Sequence, residues 1–416
     1  MKLTAKALKD AVENDAAIRR VQKLQPVGGK GDKIFPPTYP PESSRGPARH
    51  VFETRRVEGK DVRCVLIDSV QSQANRLEEA LLKAARAGII ELPYITVDFV
   101  GQKEKLSYTG TGKDMKLKLG TGNEYDLSDL GVVTSLDAPH RVFDAIIRDS
   151  DLNGKRFTET EEYKDLLLAK PTNALPVFKL SPTALIFGAW NSTGEGGGVG
   201  AKFTRCVVSE IVGFGASDGW KTSSRIDPLG IRASVKVVGG RMDWTMASAN
   251  SAKDAKRPSE INHSNITPSV VPGGVTIDYA LHTMVISCPG LRRLRFPGTK
   301  DEAAAAARAA LAALTLTAVT QQDVAGYALR SRCDLAPERA TSFEIIHSDG
   351  STEPAEVSPA EAIELLKQSV SELREYGLPW SGQPLKLVPQ KRLVELVAAS
   401  RAQALEGESD TEEPSS

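Results

Sequence analysis

Val65-Leu66-Ile67-Asp68-Ser69-Val70-Gln71-Ser72-Gln73-Ala74-Asn75-Arg76-Leu77-Glu78-Glu79-Ala80-Leu81-Leu82 is the stretch from which the fold is read. A β-branched run from Val62 to Ile67 stops at Asp68, and Leu77, Leu81, Leu82 and Ala85 then recur at helical spacing. Ser69 or Ser72 suits the N-cap of that helix. The unpaired N–H groups of a helix start attract anions. Between Ser69 and Arg76 stand six hydrogen-bonding side chains: Ser69, Gln71, Ser72, Gln73, Asn75 and Arg76. A capped surface helix uses one or two of them. The surplus marks the strand-to-helix junction as a candidate site for phosphate and sugar oxygens.

The 416 residues suffice for two or three domains, or for one domain with large insertions. Lys and Arg number 53 and Asp and Glu also 53, so no bulk field draws the chain onto nucleic acid. Any such surface is a local patch, balanced in part by the acidic end after Leu405, whose composition reads as disordered. The four cysteines (Cys64, Cys206, Cys288, Cys333) form no C-x-x-C pair, which argues against a zinc ribbon. Cys64 and Cys206 lie in apolar runs and read as buried thiols of a reducing, cytoplasmic setting. The five histidines lack H-x-x-x-H spacing, so no metal is expected. No signal peptide and no apolar run long enough to span a bilayer is read.

Residues 2–24 read as a helix (Leu8, Val12, Ile18, Val21, Leu24), followed by a Gly-, Pro- and Lys-rich extended arm through Phe35-Pro36-Pro37-Thr38-Tyr39-Pro40-Pro41. Strands are expected at 62–67, 94–99, 177–178, 184–190, 203–214, 275–287, 291–296 and 342–347. Helices are expected at 70–87, from Ala138 to Asp149, at 301–316 and at 359–375. Residues 100–125 and 216–275, poor in core residues, read as insertions. Strands and helices interleave with these insertions, which favours α+β over a doubly wound sheet.

Gly215-Ala216-Ser217-Asp218-Gly219 matches G-x-S-x-G, yet Trp220 to Pro228 offers no helical stripe, and a turn is the better reading. The glycine loop 194–200 fails the G-K-[ST] test of a P-loop, since Gly200 is followed by Ala201-Lys202. Trp190, Asn191, Ser192 and Thr193 before it, and Lys202 and Arg205 after it, fit base stacking with phosphate contact; a hairpin tip over a buried Trp fits equally. His140-Arg141, Ser224-Arg225 and Arg330-Ser331-Arg332 repeat the theme of small polar residues beside Arg, and Arg292-Arg293-Leu294-Arg295 would make one strand face basic. No persuasive catalytic set emerges. The theme is that of binding a sugar–phosphate backbone.

Several segments together resemble one family: Lys33 to Pro40, Leu66 to Glu78, Leu136 to Asp149, Leu180 to Thr193 and Leu329 to Leu335. The chain resembles the backbone subunit of a type I CRISPR surveillance complex (Cascade), in the Cas-seven branch of the RAMP superfamily, subtype G (formerly U). The resemblance implies a ferredoxin-like, RRM-type core with palm, finger and thumb insertions. It implies a non-catalytic subunit, without cofactor or metal, that stacks head to tail along CRISPR guide RNA and presents the guide for pairing with target DNA. Further copies of itself, a large subunit, an RNA-end-capping subunit and a recruited helicase-nuclease are the implied partners, with no membrane.

On this basis residues 1–60 are an N-terminal helix and arm, and 61–90 with 175–215 and 290–350 the palm. Residues 91–135 are a possible thumb, 216–289 a finger-like insertion, 351–400 a C-terminal helical segment and 401–416 the disordered acidic tail. The thumb is placed at 100–125, because Lys103–Tyr108 and Met115–Leu119 can pair across Gly110–Gly112, with Met115 and Leu117 as wedges. Residues 240–275, with Met242, Trp244 and Met246, compete for that role. The rival readings are a serine hydrolase or nuclease centred on Ser217, and a purely structural assembly protein.

Overall fold

The computed structural model describes residues 2–40, 48–109, 116–191, 202–239, 244–248, 255–263 and 265–406. The chain forms two compact units, one of residues 1–98, 132–218 and 274–390, the other of 99–131, 219–273 and 391–416.

The first unit is built on a nine-stranded sheet. Its strands run in the order Tyr327–Arg330, Cys333–Pro337, Ala17–Pro26, Tyr279–Ser287, Val207–Phe214, Lys60–Asp68 and Phe52–Val57; Phe343–Ile346 also pairs with Ala17–Pro26 and carries Thr352–Ala355. Every pairing is antiparallel. In the chain, helix Val70–Arg86 lies between strands 17–26 and 207–214, and helix Asp301–Ala325 between 279–287 and 333–337. These four strands stand side by side as fourth, first, third, second, the ferredoxin-like order. The expected α+β class holds. The hairpin 52–68 is added at one edge, with Glu58 (φ 48°) and Gly59 (φ 80°) making its two-residue turn.

One central strand was hidden from sequence, and another was expected but assigned to an insertion. Residues 2–24 are not one helix: Ala5–Asn14 is helical, Asp15 is extended, and Ala17–Pro26 is a central strand. Ile18, Val21 and Leu24 mimic helical spacing because the inward positions between Ile18 and Leu24 hold buried Arg20 and Gln22. The strand Tyr279–Ser287, placed by sequence in the finger-like insertion, pairs with Ala17–Pro26 along eight residues.

Residues 175–187 are helices, Leu175–Leu180 and Pro182–Phe187, with Pro in the first turn of each. Short apolar runs do not separate strand from buried helix. Residues 288–292 form a helix capped by Ser287, so no basic strand face forms there. Between Ala138 and Asp149 the helix is broken into a 3-10 turn, Arg141–Phe143, and Ala145–Arg148.

The helix expected to stop at 316 continues to Ala325. Its buried Thr315, Thr317 and Thr320 donate to the carbonyls of Leu311, Ala313 and Leu316 at 2.9 Å each, which hides their polarity. By length and composition this helix is long enough to cross a bilayer, contrary to the sequence reading, but its apolar window is wholly buried inside the protein. The segment 351–400 includes a strand, Leu385–Pro389, parallel to Ile95–Asp98.

Between sheet and helices runs a continuous buried polar chain. Arg20 forks onto Asp323, and the Tyr327 hydroxyl donates to Asp323 Oδ1 at 2.6 Å. His282 Nδ1 lies 3.0 Å from the Tyr327 oxygen and its Nε2 2.7 Å from Ser209 Oγ. Tyr327 has spent its only proton on Asp323, so His282 Nδ1–H donates to it, and His282 Nε2 and Gln73 Oε1 compete for the single hydroxyl proton of Ser209. Ser209 also reaches Gln73 Oε1 at 3.0 Å, and Gln73 Nε2 donates to Asp68 Oδ2 at 2.6 Å.

In the second unit, Lys103–Thr109 pairs with Lys116–Leu119 and with Asn123–Asp126. Leu106 is buried with Ala398 and Ala402 of helix Lys391–Glu406, and Tyr108, Tyr125 and Ala399 pack around them. Arg401 forks onto Asp129 at 2.7 and 2.9 Å. The expected hairpin is thus one part of a three-stranded sheet covered by a helix. Its tip, 110–115, with Met115, lies outside the described residues, as does the acidic tail from 407. Residues 401–406 are helical.

Burial, with the Arg20 charge adding, pushes the His282 imidazole down to about 3. An unfolded chain takes up a proton below about 6.5 that the native site refuses, so this contribution is complete above that pH and is lost as pH falls towards 3. Urea unfolding is expected to show stability dropping by up to about 1.4 kcal/mol per pH unit below pH 6.5 from this group. The variant His282→Gln is expected to be less stable at pH 7 yet flatter with pH. Parallel pH profiles for the two proteins would remove His282 from the acid transition.

Candidate nucleic-acid interface

Ser69 caps the helix Val70–Arg86, its Oγ accepting from Ser72 N at 3.3 Å, as the sequence suggests. The six-residue polar cluster then divides by face. Gln71 and Asn75 are exposed, and Ser69 and Ser72 are half-buried. Gln73 is fully buried in the polar chain, where Gln322 Nε2 also donates to its Oε1 at 3.3 Å. Arg76 donates through Nε to buried Asp68 at 3.0 Å and through a terminal nitrogen to the Leu329 carbonyl at 2.6 Å. Gln73 and Arg76 are therefore corrections. They hold the helix start to the sheet, because an aspartate as buried as Asp68 requires partners.

Arg141 is a further correction. Its guanidinium is buried and forks onto Glu78 at 2.8 and 2.7 Å, with its remaining nitrogen on the Gly188 carbonyl at 2.9 Å. Burial pushes the Glu78 carboxyl up and Arg141 pulls it back. Arg141 takes a φ of 53°, a conformation that costs a non-glycine residue about 1 kcal/mol or more. His140 beside it is exposed.

Arg205 donates to the neighbouring Phe187 carbonyl at 3.1 Å and is otherwise largely open. Burial and the Arg141 charge lower its pKa from the usual arginine value. Together these two arginines fix the carbonyls that precede the Ala189–Trp190 strand. That strand pairs with Lys202–Phe203, Trp190 opposite Lys202. Trp190 is 55% exposed, so the buried-Trp alternative falls away. Asn191 is buried, and Ser192 and Thr193 lie outside the described residues.

Arg330 and Arg332 are exposed at the turn joining Tyr327–Arg330 to Cys333–Pro337. Arg76, bound to the Leu329 carbonyl, ties this turn to the helix start. The arm returns to the same turn: Val27 N bonds the Asp334 carbonyl at 3.0 Å and Phe35 N the Arg332 carbonyl at 2.9 Å. Exposed Lys30 and Lys33, in the loop between, join a surface that the sequence did not single them out for. Their signal was the Gly28-Gly29-Lys30-Gly31-Asp32-Lys33 composition, read only as a loop.

Ser224 is exposed in the strand Ser217–Arg225, and the side chain of Arg225 lies outside the described residues. Ser217 opens that strand; no helix follows it, and a nucleophile elbow needs one. All four cysteines are free and buried, and burial pushes the Cys206 and Cys288 thiols up to about 11 and Cys333 to about 12. No cluster of metal-ligating residues occurs among the described residues.

The exposed side chains on this ferredoxin-like sheet and its helix, Arg330 and Arg332 at the turn, Lys30 and Lys33 on the arm and Gln71 and Asn75 on the helix, are of the types that contact phosphate and sugar oxygens in nucleic-acid binders. Residues 18–218, just under half of the chain, match the family model described as CRISPR-associated protein GSU0053. No curated protein matches the sequence. A crystal structure of Csc2 from Thermofilum pendens is similar at 12% identity over 95% of this chain and 79% of that one, with a TM-score of 0.27.

Arg141→Ala is expected to lower unfolding stability by about 3–5 kcal/mol, because it strands the buried Glu78 charge. Lys202→Ala, on the exposed partner strand, is expected to stay within about 0.5 kcal/mol of the parent. Chemical denaturation of the two variants decides it, and equal small losses would return Arg141 to the surface.

Proposed function

We propose that this protein is the non-catalytic guide-RNA-binding backbone subunit of a type I-G Cascade-like complex. The observation that carries the reading is the CRISPR-associated family match across residues 18–218, which includes the helix start, Trp190, Lys202 and Arg205. The exposed cations at the 330–332 turn add phosphate contacts of their own, and phosphate contacts fix register without reading sequence. Pairing between guide and target DNA then supplies specificity. Copies stack head to tail through a non-closing interface, so growth is limited by the RNA. A large subunit, an end-capping subunit and a recruited helicase-nuclease complete the assembly in a cytoplasmic setting.

The palm of this reading is the sheet of the first unit. The thumb is assigned to the hairpin 103–119, with exposed Leu117 near its tip. A deletion of 104–118 would also remove Leu106 and Tyr108, on which the 391–406 helix packs, and so would unfold more than the thumb.

Protein co-expressed with its CRISPR array is expected to carry RNA, seen as a raised ratio of absorbance at 260 to 280 nm, with mass rising in steps as the guide lengthens. Nucleic-acid-free protein of fixed mass would defeat the proposal. Arg330→Ala and Lys202→Ala are each expected to flatten the salt dependence of RNA binding by about one phosphate contact. Replacing 110–115 by a two-residue turn is expected to leave guide binding intact while abolishing periodic base reactivity in chemical probing of the bound RNA. Periodicity that survives would move the thumb to 240–275.

A further inference from the structure

We propose that Arg332, laid on Phe35, is a platform on which one unpaired base of the bound RNA stacks; this rests on the nucleic-acid reading above and assigns a specific contact within it. The Arg332 guanidinium carbon lies 4.9 Å from the centre of the Phe35 ring. Six such cation–aromatic pairs occur among the described residues. In five of them the cation is also bound to a carboxylate: Lys9 to Glu372, Arg20 to Asp323, Lys23 to Glu338, Arg63 to Asp218 and Arg141 to Glu78. Arg332 has no carboxylate partner among the described residues and is exposed. Its charge and its outer face are available to a ligand.

The platform is held from below. Phe35 is half-buried, and a Cβ on Gly274 would stand 2.9 Å from its ring, so the ring rests against bare backbone. Ile34 is bonded both ways to Val275, at 2.9 and 2.8 Å. Arg332 itself sits at φ 57°, which glycine would adopt freely, with its carbonyl fixed by the Phe35 N–H. An arginine there serves the turn no better than glycine does, so the side chain is the reason to look for a role.

A guanidinium is planar and weakly hydrated, and it stacks on a flat π face while keeping its charge. Every base has such a face, so the contact is sequence-tolerant. It requires an unpaired base, which single-stranded RNA supplies and a duplex does not. Exposed Arg330, Lys33 and Lys30 beside it suit the flanking phosphates.

The test is equilibrium binding of short unstructured RNA, intact or with a single abasic nucleotide moved through each position, to the parent, Arg332→Lys and Phe35→Leu proteins. For the parent, one abasic position per footprint is expected to weaken binding about five- to fiftyfold. In Arg332→Lys, which keeps the charge without the plane, that penalty is expected to vanish while the salt slope stays unchanged. Phe35→Leu is expected to blunt it, with thermal unfolding reporting that the fold is kept. A parent that binds RNA with a flat abasic profile, or profiles that are identical in parent and Arg332→Lys, would overturn the platform alone. A parent that binds no RNA would overturn the nucleic-acid reading together with it.

Discussion

The buried polar chain from Arg20 to Asp68 is the constraint on which the fold turns. Every element of the ferredoxin-like core except the strand 333–337 contributes a side chain to it. Strand 17–26 gives Arg20, helix 70–86 gives Gln73, strand 207–214 gives Ser209 and strand 279–287 gives His282; helix 301–325 gives Asp323, and Tyr327 stands where the last hairpin begins. An unmatched buried polar group costs about 1–3 kcal/mol. A slip of one strand by one residue would turn its member outward and leave neighbours unpaired. An all-apolar core would leave register less strictly defined, so this network ties strand order to a single alignment.

That chain also decides what the surface offers. Through Gln73 and Asp68 it draws the inner face of the Ser69–Arg76 helix start into the core, and Arg76 follows to bind Asp68 and Leu329. Gln71 and Asn75, on the opposite face, are left to solvent. Glu78 and Arg141 repeat the pattern farther along the same helix. In a chain with equal numbers of acids and bases, ten arginines among the described residues are paired with a carboxylate. The cations at the 330–332 turn, which have no such partners among the described residues, therefore mark a surface that net charge conceals.

The second unit follows a different rule. The sheet 103–126 has little core of its own, and Leu106, Tyr108 and Tyr125 find burial only against the helix 391–406, nearly three hundred residues later. Loop-like composition here reflects a thin sheet with one apolar face, whose exposed face is polar on both flanking strands.

Sequence by itself determined the class and much of the outline. The strand-to-helix junction at 68–70, the cap at Ser69, the helix 359–375 and the strands 207–214 and 343–346 follow from periodicity and capping, which are local. The 103–119 hairpin was legible from composition for the same reason. What the tertiary structure alone decided is which polar residues face inward. Arg20 and Gln22 break the alternation that would have announced their strand, and Gln73, Arg76 and Arg141 look like surface ligands until their partners appear 136, 253 and 63 residues away. Hydrophobic period reports burial only where the buried residues are apolar. A buried polar side chain is recognised by its partner, and the partner's position is a property of the fold.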